Sequence, residues 1–355
     1  MSKIALVMAG GTGGHIFPGL AVAEALRGRG WQVHWLGAPN SMESRLVPVR
    51  GFALQTIDFA GVRGKGVMTL VLLPLRLLKA FWQSIQVIRR VKPNVVLGLG
   101  GYISFPAGMM AVLLGKPLVL HEQNSVAGMA NRVLAQVADK VFTAFPGVLA
   151  KGEWVGNPLR EEFLQQAQPA HRFAGRNGPL NLLVVGGSLG AKALNDIVPK
   201  AVALMPVARR PHIVHQSGEK QIDALRANYA AADVQATLTP FIDNTAAAFA
   251  QADVIVCRAG ASTVTEIAAV GAAAIFVPFP SAVDDHQTTN AKFLSDQGAA
   301  QLVQQKDLTP QLLANMLLKS ELVELLSIAQ KAKNMQKIHA TEAVVEACEV
   351  LGTRN

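Results

Sequence analysis

The fold is decided by the stretch Met8-Ala9-Gly10-Gly11-Thr12-Gly13-Gly14-His15-Ile16-Phe17-Pro18, which directly follows the apolar run Ile4-Ala5-Leu6-Val7. A short buried strand that breaks into glycines and then enters a helical pattern typically presents backbone N–H groups to a phosphate or diphosphate. Thr12 adds a hydroxyl, and His15 adds a group that titrates near neutral pH. We therefore predict that this stretch forms the floor of an active site. A plain strand-to-helix turn is the alternative.

Two nucleotide-binding motifs do not fit this stretch. A dinucleotide fingerprint counted from Gly11 requires glycine where Ile16 stands, and the later run Val33-His-Trp-Leu-Gly37 ends without the ribose-binding acid. A P-loop requires Gly-Lys followed by Ser or Thr, which does not occur here.

Length and composition indicate a two-domain globular protein. The chain has 355 residues, of which 50% are apolar and 16% charged, so disorder is excluded as a description of the whole. The two cysteines, Cys257 and Cys348, form neither a disulfide framework nor a metal-ligand pattern, which favours a reducing cytoplasm. Lys3 is not followed by the apolar core of a signal peptide, so the N-terminus is interpreted as the first strand.

The positive charge is concentrated in one half. Residues 1–160 hold 17 Lys and Arg against 6 Asp and Glu, whereas residues 161–355 hold 16 against 18. A basic half can face nucleic acid, an anionic membrane or an acidic ligand. Only 6% of residues are aromatic and no nucleic-acid recognition motif occurs, so no nucleic-acid partner is predicted. Scattered solvated charge is the remaining alternative.

The pattern predicts an α/β protein with two Rossmann-like, doubly wound parallel-sheet domains. Near-continuous apolar strands alternate with helices, which requires a sheet covered on both faces. The second half repeats the plan of the first, and ligand-facing loops are expected at the carboxyl ends of the strands, facing a cleft. The domains are predicted as 1–160 and 161–335. The predicted strands are 4–8, 32–36, 94–99, 117–120, 181–185, 253–257 and 273–277, with helices over 19–29 and up to about residue 90.

The segment 67–90 is apolar but interrupted. Pro74, Arg76 and Lys79 interrupt the apolar run and argue against a transmembrane span. Polar residues recur along one side of the predicted helix, which could lie on a bilayer surface or pack on the sheet. We expect an exposed apolar patch near its start, with the neighbours Arg63, Lys65, Phe81 and Trp82.

Three loops of the second half carry polar groups. Gly186-Gly187-Ser188 offers amides and a hydroxyl to an anion. The run Gly260-Ala-Ser-Thr-Val-Thr-Glu266 opens a helix, and Glu266 either completes a capping box with Thr263 or binds a ribose. The run Asp284-Asp-His-Gln287 with Asn290 suggests contacts with sugar hydroxyls. A metal site formed by the two aspartates and the histidine is the weaker alternative, and no metal is predicted.

Seven motifs together carry a resemblance to a known family. They are G-G-T-G-G-H-I-F-P (10–18), G-G-Y (100–102), H-E-Q-N (121–124), G-N-P-L-R (156–160), G-G-S-L-G-A (186–191), G-A-S-T-V-T-E (260–266) and D-D-H-Q-T-T-N-A (284–291). In this order and at these separations, they closely resemble the MurG family of bacterial glycosyltransferases. Members of that family add N-acetylglucosamine from UDP-N-acetylglucosamine to undecaprenyl-diphosphate-linked muramyl-pentapeptide.

The resemblance implies a glycosyltransferase fold of the B type, with an N-terminal acceptor domain facing the membrane and a C-terminal UDP-sugar domain. It also implies that a last helix, about 336–355, packs back on the first domain. The implied UDP-sugar contacts are Thr12, Gly13, Gly14, Asn124, Arg160, Ser188, Ile242, Ala261, Ser262, Thr263, Val264, Thr265, Glu266 and Gln287. The implied acceptor contacts are Gly11, His15 and Tyr102, and the implied catalytic residues are His15 and Glu122. Position 189 is Leu, where many members have Gln.

The implied reaction inverts the anomeric centre and needs a base for the acceptor hydroxyl. His15 is the first choice because its unperturbed pKa lies near the operating pH, and Glu122 is the second. No cofactor is expected. The implied partners are the two substrates, an anionic membrane surface on the cytoplasmic side of the bacterial inner membrane, and cell-wall synthesis and division proteins.

Three other functions fit parts of the sequence. A related transferase could glycosylate a diacylglycerol, although H-E-Q-N and the Asp284 run argue against it. A UDP-sugar epimerase shares the architecture but needs no membrane patch. A catalytically silent UDP-sugar-binding partner is disfavoured by the presence of His15, Glu122 and Glu266.

Overall fold

The computed structural model describes residues 2–59, 61, 71–187 and 190–353, with the backbone alone at position 283. The chain divides into two compact units. Unit 1 comprises Met1–Arg160 with Ile338–Asn355, and unit 2 comprises Glu161–Lys337. Each unit contains one parallel sheet, and each is described separately below.

Unit 1 has a seven-stranded sheet in the order β3-β2-β1-β4-β5-β6-β7, in which every neighbouring pair is parallel. Its strands are β1 (Ile4–Ala9), β2 (Gln32–Gly37), β3 (Ala53–Thr56), β4 (Val95–Gly100), β5 (Leu118–Glu122), β6 (Lys140–Thr143) and β7 (Glu153–Trp154). Its first helices are α1 (Gly13–Gly28), α2 (Met42–Val49), α3 (Leu73–Val91), α4 (Ser104–Leu113) and α5 (Met129–Val137).

The central strands of unit 1 are buried on both faces. In β1, Ala5, Val7 and Ala9 belong to the core on one side of the sheet, and Leu6 and Met8 belong to the core on the other. Successive side chains of a strand point to opposite faces, so a strand that is apolar throughout needs helices on both sides. The sequence meets this requirement.

Unit 2 has a six-stranded parallel sheet in the order β10-β9-β8-β11-β12-β13. Its strands are β8 (Asn181–Val185), β9 (His212–Gln216), β10 (Thr237–Thr239), β11 (Val254–Cys257), β12 (Ala274–Phe276) and β13 (Gln301–Leu302). Its helices are α6 (Glu161–Leu164), α7 (Pro169–Phe173), α8 (Lys192–Ala203), α9 (Ile222–Ala231), α10 (Thr245–Gln251), α11 (Ala261–Val270), α12 (His286–Ser295), α13 (Pro310–Lys319) and α14 (Leu322–Asn334). Short 3-10 turns occupy Val207–Arg209, Glu219–Gln221 and Val283–Asp285.

The last helix, α15 (Ala340–Gly352), belongs to unit 1 although it follows unit 2 in the chain. Its residues Val344, Val345 and Cys348 complete the core on the α1 side of the unit 1 sheet. Arg29, at the end of α1, forms ion pairs with Glu342 and Glu349 of this helix. The helix therefore covers apolar surface that residues 1–160 alone would leave exposed.

Helix α1 begins earlier than predicted. The sequence suggested a start at Gly19, but the helix begins at Gly13, with Thr12 at the N-cap. The carbonyl of Thr12 already accepts from the amides of His15 and Ile16. Glycine has low helix propensity. Because the first turn contains two glycines, the sequence pattern did not predict that the helix begins there.

Helix α3 has three distinct sides. Ala80, Ser84, Val87, Ile88 and Val91 face the core. On a second side, Lys79 pairs with Asp58 and Arg90 donates to Gln55, so part of the predicted polar side binds the protein itself.

A third side of α3 is apolar and exposed, as predicted near the start of this segment. Leu75, Leu78 and Trp82 are 65%, 63% and 60% exposed. Phe81 differs from the expectation, because it is partly buried and packs on Phe105 with ring centroids 6.1 Å apart. Arg63 and Lys65 lie outside the described residues.

Within the described ranges, no helix is both long enough and apolar enough to span a bilayer.

Candidate functional site

The first glycine turn of unit 1 is held by a buried carboxylate. Glu43 accepts hydrogen bonds from the amide of Gly11 at 3.1 Å and from that of Ala38 at 3.0 Å. A Cβ atom built on Gly10 would lie 2.6 Å from Glu43 Oε1. The Gly11 amide is thus directed to the protein, not to a ligand. The amides of Gly13 and Gly14 open α1 and have no intrahelical acceptor, so they are the ones placed to bind an anion.

The second turn of unit 1 follows β4 and lies against the first. Gly100 and Gly101 have φ values of +103° and +88°. A Cβ on Gly100 would lie 2.9 Å from the His15 ring, and a Cβ on Gly101 would lie 2.4 Å from the carbonyl oxygen of Gly10. Both glycines are therefore required for the close approach that seats His15. Tyr102 follows directly and is 52% exposed.

His15 is anchored by one ring nitrogen. Its Nδ1 lies 2.7 Å from Oε1 of Gln123, which follows β5. The His15 ring is partly exposed, and Nε2 has no hydrogen-bond partner among the described residues. This geometry leaves one nitrogen available to exchange a proton with a bound molecule.

Glu122 is occupied by the protein. It is 1% exposed, and its carboxylate accepts from the amides of Asn124 at 2.9 Å and Gly128 at 3.2 Å and from Nδ2 of Asn131 at 2.8 Å. These bonds hold the loop between β5 and α5. Because its oxygens already accept these hydrogen bonds, the carboxylate stabilises the loop, and this geometry disfavours Glu122 as the base.

The remaining predicted residues of unit 1 lie beyond the ends of β5 and β7. Asn124 is partly buried on the loop that Glu122 holds. Arg160 ends the first segment of unit 1, and its guanidinium carbon lies 5.6 Å from the centroid of the Phe17 ring. That distance is within the range of a cation–π contact, which ties Arg160 to helix α1.

In unit 2, the first turn of α11 is partly exposed and is not closed by a side-chain cap. The N-cap is Gly260, with no side-chain cap. The capping-box interpretation of Thr263 and Glu266 is therefore wrong, since Thr263 lies inside the helix. Ser262, Thr263 and Glu266 are partly exposed. Their spacing places them on one side of the helix, whereas Ala261, Val264 and Thr265 are buried and offer a ligand their backbone at most.

The hydroxyl of Ser262 is buried and has no hydrogen-bond partner in the described chain. Buried polar atoms are normally paired, so an unpaired hydroxyl beside free helix amides is consistent with a bound polar ligand.

The expectation for the glycine turn after β8 is wrong for two of its amides. The N–H groups of Gly186 and Gly187 donate to Gln216 Oε1 at 3.1 and 3.2 Å, so they do not face an anion. The Gln216 amide nitrogen in turn donates to the carbonyls of Gly187 and Pro240, both at 3.0 Å. Ser188 and Leu189 lie outside the described residues.

Two further predicted residues follow strands of the same sheet. Ile242 is partly buried in the loop after β10, and Gln287 in α12 accepts from the amide of Phe279 at 2.9 Å. Asp284 and Asp285 adopt left-handed backbone conformations, with φ values of +52° and +50°. In the described part of the chain, no three His, Cys, Asp or Glu side chains are grouped to hold a metal ion.

Sequence reasoning gave no role of their own to several residues that shape these turns, although two of them belong to the quoted motif H-E-Q-N (121–124). They are Glu43, His121, Gln123, Asn131 and Gln216. The available signal was position, because Gln123 and Gln216 lie at the carboxyl ends of parallel strands, where sites form in such folds. Nothing in the sequence near Glu43 links it to the glycine turn.

Comparisons with known proteins agree over nearly the whole chain. Residues 5–143 match the Glycosyltransferase family 28 N-terminal domain, and residues 181–347 match the corresponding C-terminal domain. A protein of Polaromonas sp. (strain JS666) is 74% identical over 355 residues, covering 99% of this chain and 92% of that protein. One of Paracidovorax citrulli is 73% identical, covering 98% of each chain. Both are named UDP-N-acetylglucosamine–N-acetylmuramyl-(pentapeptide) pyrophosphoryl-undecaprenol N-acetylglucosamine transferase.

The chain belongs to the MurG family. A crystal structure of MurG from Acinetobacter baumannii matches it with a TM-score of 0.86 and 42% identity, covering 98% of this chain and 99% of that one. The two parallel-sheet units are accordingly those of a B-type glycosyltransferase, as predicted, and the protein is a UDP-N-acetylglucosamine-dependent glycosyltransferase of the MurG type.

Proposed function

We propose that the protein transfers N-acetylglucosamine from UDP-N-acetylglucosamine to the 4-hydroxyl of undecaprenyl-diphosphate-linked N-acetylmuramyl-pentapeptide, which converts lipid I into lipid II in peptidoglycan synthesis. Membership of the MurG family supports the substrates. The single structural observation that carries the chemistry is His15, which is anchored through Nδ1 and whose Nε2 has no partner in the described part of the chain.

The proposed reaction is a direct displacement with inversion. The acceptor hydroxyl attacks C1 of the sugar, the bond from C1 to the UDP oxygen breaks, and the hydroxyl proton passes to His15 Nε2, giving a β linkage. The departing diphosphate gains negative charge, which preorganised backbone amides stabilise, often by a few kcal/mol per donor. The proposal assigns this task to the start of α11 and invokes no metal or cofactor.

We assign donor binding mainly to unit 2. There Ser262, Thr263 and Glu266 share one side of α11, and Ile242 and Gln287 follow strands of the same sheet. The carboxylate of Glu266 is assigned to the ribose hydroxyls. The donor assignment also includes Thr12, Gly13, Gly14, Asn124, Arg160, Ser188 and the backbone of Ala261, Val264 and Thr265.

We assign acceptor binding to unit 1. His15 and the exposed Tyr102 lie on two turns that contact each other through Gly10 and Gly101, and Gly11 shapes the first of these turns. We assign the free amides of Gly13 and Gly14 at the start of α1 to a position that the donor shares with the diphosphate of the lipid-linked acceptor.

The test is a transfer assay with labelled UDP-N-acetylglucosamine and lipid-linked muramyl-pentapeptide, read as formation of the disaccharide-lipid. His15→Ala is expected to lower kcat by roughly 100-fold or more, because a positioned base is lost. The exposed His171, in unit 2, offers a matched control, and His171→Ala should leave kcat unchanged. A raised KM with kcat retained in His15→Ala would move the base elsewhere. Transfer to a diacylglycerol in place of the muramyl lipid would overturn the substrate assignment.

We further propose that unit 1 binds the cytoplasmic surface of an anionic inner membrane. The exposed residues Leu75, Leu78 and Trp82 form an apolar stripe on α3, and Met129 and Val133 are exposed on α5. Residues 1–160 carry the chain's excess of positive charge. Basic residues near an acidic lipid surface contribute about 1 kcal/mol each, and apolar side chains insert between the headgroups.

A further inference from the structure

We propose that Gln123 and His121 are positioning residues that fix the tautomer of His15, keeping its proton on Nδ1 and a lone pair on Nε2. The inference rests on the proposed function, since it concerns the nitrogen assigned there to take the acceptor proton. The feature behind it is a chain of hydrogen bonds that runs through side chains of two separate segments and ends on a backbone carbonyl of a third. We call this chain the His15 relay, and it runs from His15 through Gln123 and His121 to the carbonyl oxygen of Gly156.

The direction of the relay is set at the Gln123 amide. Its Nε2 lies 3.0 Å from the carbonyl oxygen of His121, and a carbonyl oxygen can only accept. The nitrogen end of the amide must therefore face His121, so the oxygen end faces His15. Because Gln123 Oε1 also can only accept, the His15 nitrogen 2.7 Å away must carry the proton.

The other end of the relay has the same direction. His121 Nε2 lies 2.9 Å from the carbonyl oxygen of Gly156, so this nitrogen donates. That leaves His121 Nδ1 to accept from Gln123 Nε2 at 3.0 Å. Each of the four bonds thus has one consistent donor. Both N–H groups of the Gln123 side-chain amide donate, one to Nδ1 and one to the carbonyl oxygen of His121.

Burial preserves this arrangement. His121 and Gln123 are both at most 1% exposed. Burial lowers the pKa of His121 to about 4, so the ring stays neutral and its Nδ1 remains an acceptor near neutral pH. A protonated His121 would place a second donor against the Gln123 amide nitrogen.

The relay matters because a neutral imidazole can place its proton on either nitrogen, and the hydrogen bond made by one nitrogen decides the state of the other. If Nε2 of His15 held the proton, it could not accept one from the acceptor hydroxyl. Fixing the tautomer therefore keeps the whole neutral population competent as a base.

The primary test is the ¹⁵N NMR spectrum of the histidine rings in the full-length wild-type protein without substrates. His15 is expected to show a protonated Nδ1 and an unprotonated Nε2 at neutral pH. His215 is an internal reference, because it is buried in unit 2 and bonds Tyr229 and Asn195. A proton on Nε2 of His15 would overturn the proposal without any variant. This readout needs no activity, so its failure would leave the proposed function untouched.

Two variants separate positioning from structure. Gln123→Met keeps the approximate side-chain length but removes the acceptor, so the His15 proton should distribute between both nitrogens. The kcat should then fall severalfold, in proportion to the fraction of His15 rings that retain a lone pair on Nε2, with KM nearly unchanged. Gln123→Glu retains an acceptor toward His15 but loses the donor toward His121, so it should keep the Nδ1–H tautomer and a higher kcat than Gln123→Met. If kcat falls equally in both variants while the His15 tautomer is unchanged in both, Gln123 has only a packing role and the proposal is overturned. If Gln123→Met does not fold, the wild-type and Gln123→Glu spectra decide the question.

Discussion

Glu122 has the residue type and position of a catalytic acid or base, but its carboxylate is bound by the loop that follows β5. Its carboxylate accepts from two backbone amides and from the side-chain amides of Asn124 and Asn131. Glu122→Gln would turn an NH₂ group toward at least one of these donors and leave it unpaired. We expect the free energy of unfolding to fall by about 1–3 kcal/mol.

Urea unfolding followed by tryptophan fluorescence measures this loss, because all four tryptophans lie in unit 1. Glu24→Gln is the matched control, since Glu24 is partly exposed and pairs with Arg50. Such a pair contributes about 1 kcal/mol or less. Unchanged stability in Glu122→Gln together with a large loss of kcat would restore Glu122 as a candidate base.

Gly101 is a second residue whose role can be measured. Gly101→Ala places a methyl group 2.4 Å from the Gly10 carbonyl oxygen at a φ of +88°. The strained backbone alone costs roughly 1–2 kcal/mol, and the clash must displace one of the two turns. We expect a lowered melting temperature and a reduced kcat.

Gly28→Ala serves as its control. Gly28 ends α1 with a negative φ, and a Cβ there meets no atom within 4 Å. This substitution should be neutral or stabilise by up to about 1 kcal/mol. Similar melting temperatures for the two alanine variants would contradict the importance assigned to the contact between the turns.

At the same scale, the sequence could place His15 beside a glycine turn but could not find its partner. Gln123 lies 108 positions further along the chain. Only the sheet order, which puts β5 two places from β1, brings them together. For the same reason, the sequence did not reveal that Gln216 occupies the amides of Gly186 and Gly187.

Among the elements, helix starts were the hardest to predict. Thr263 and Glu266 have the spacing of a capping box, yet α11 begins at Ala261 with Gly260 as its N-cap. Glycine is itself an acceptable N-cap. A capping-box pattern considers only Ser or Thr as the N-cap, so it can predict a helix start that lies too far along the chain. Helix α1 shows the same error at Gly13. In both places glycine precedes or enters the first turn.

Helix α3 carries the prediction for membrane binding. Leu75→Gln with Trp82→Gln removes two exposed apolar side chains, each of which stabilises a membrane-bound state by about 1.5–3 kcal/mol when fully buried. We expect the affinity for vesicles rich in acidic lipid to fall roughly tenfold or more, measured by co-sedimentation. Wild-type binding should weaken with added salt.

The control uses an equally exposed apolar residue in the other unit. Val323 is 79% exposed on α14, and Val323→Gln should leave vesicle binding unchanged. Equal binding of the wild-type protein to neutral and acidic vesicles would argue against an electrostatic contribution. Loss of binding in the Val323 variant would show that the α3 stripe is not the contact surface.

For the whole molecule, the architecture was the most predictable level. The buried apolar strands β1, β4, β5, β8 and β11 were all located, because a buried parallel strand leaves a continuous apolar run in the sequence. The strands that escaped prediction were mostly short or near a sheet edge, where one face or end is polar: β3, β6, β7, β9, β10 and β13. Their pairing depends on neighbours more than on their own residues.

Acid sensitivity should be shared by both units, since each buries one neutral histidine. Burial lowers the pKa of His121 to about 4 and that of His215 to about 3, from 6.5. Between these values and 6.5, the unfolded chain binds more protons than the folded one, so stability falls as the pH falls below about 6.5. From about pH 7.5 to 5.5, each histidine should remove about 1.4 kcal/mol of stability from its unit.

Tryptophan fluorescence follows unit 1, and labelling of the buried thiol of Cys257 follows unit 2. In His121→Gln, the loss of stability of unit 1 between pH 7.5 and 5.5 should be smaller than in the wild type by about 1.4 kcal/mol. In His215→Gln, the loss of stability of unit 2 should be smaller by the same amount. Identical pH dependence in wild type and variants would mean that other groups cause the acid sensitivity.

The position of α15 has a consequence for synthesis on the ribosome. Residues 1–160 emerge first, but the helix that covers Trp31, Val95 and Leu97 spans Ala340–Gly352. At about 5–20 residues per second, the intervening chain takes on the order of 10 to 35 s to translate. During that interval the nascent N-terminal unit exposes the apolar surface that α15 later covers. Unit 2 therefore has all of its residues available to fold before α15 completes the core of unit 1.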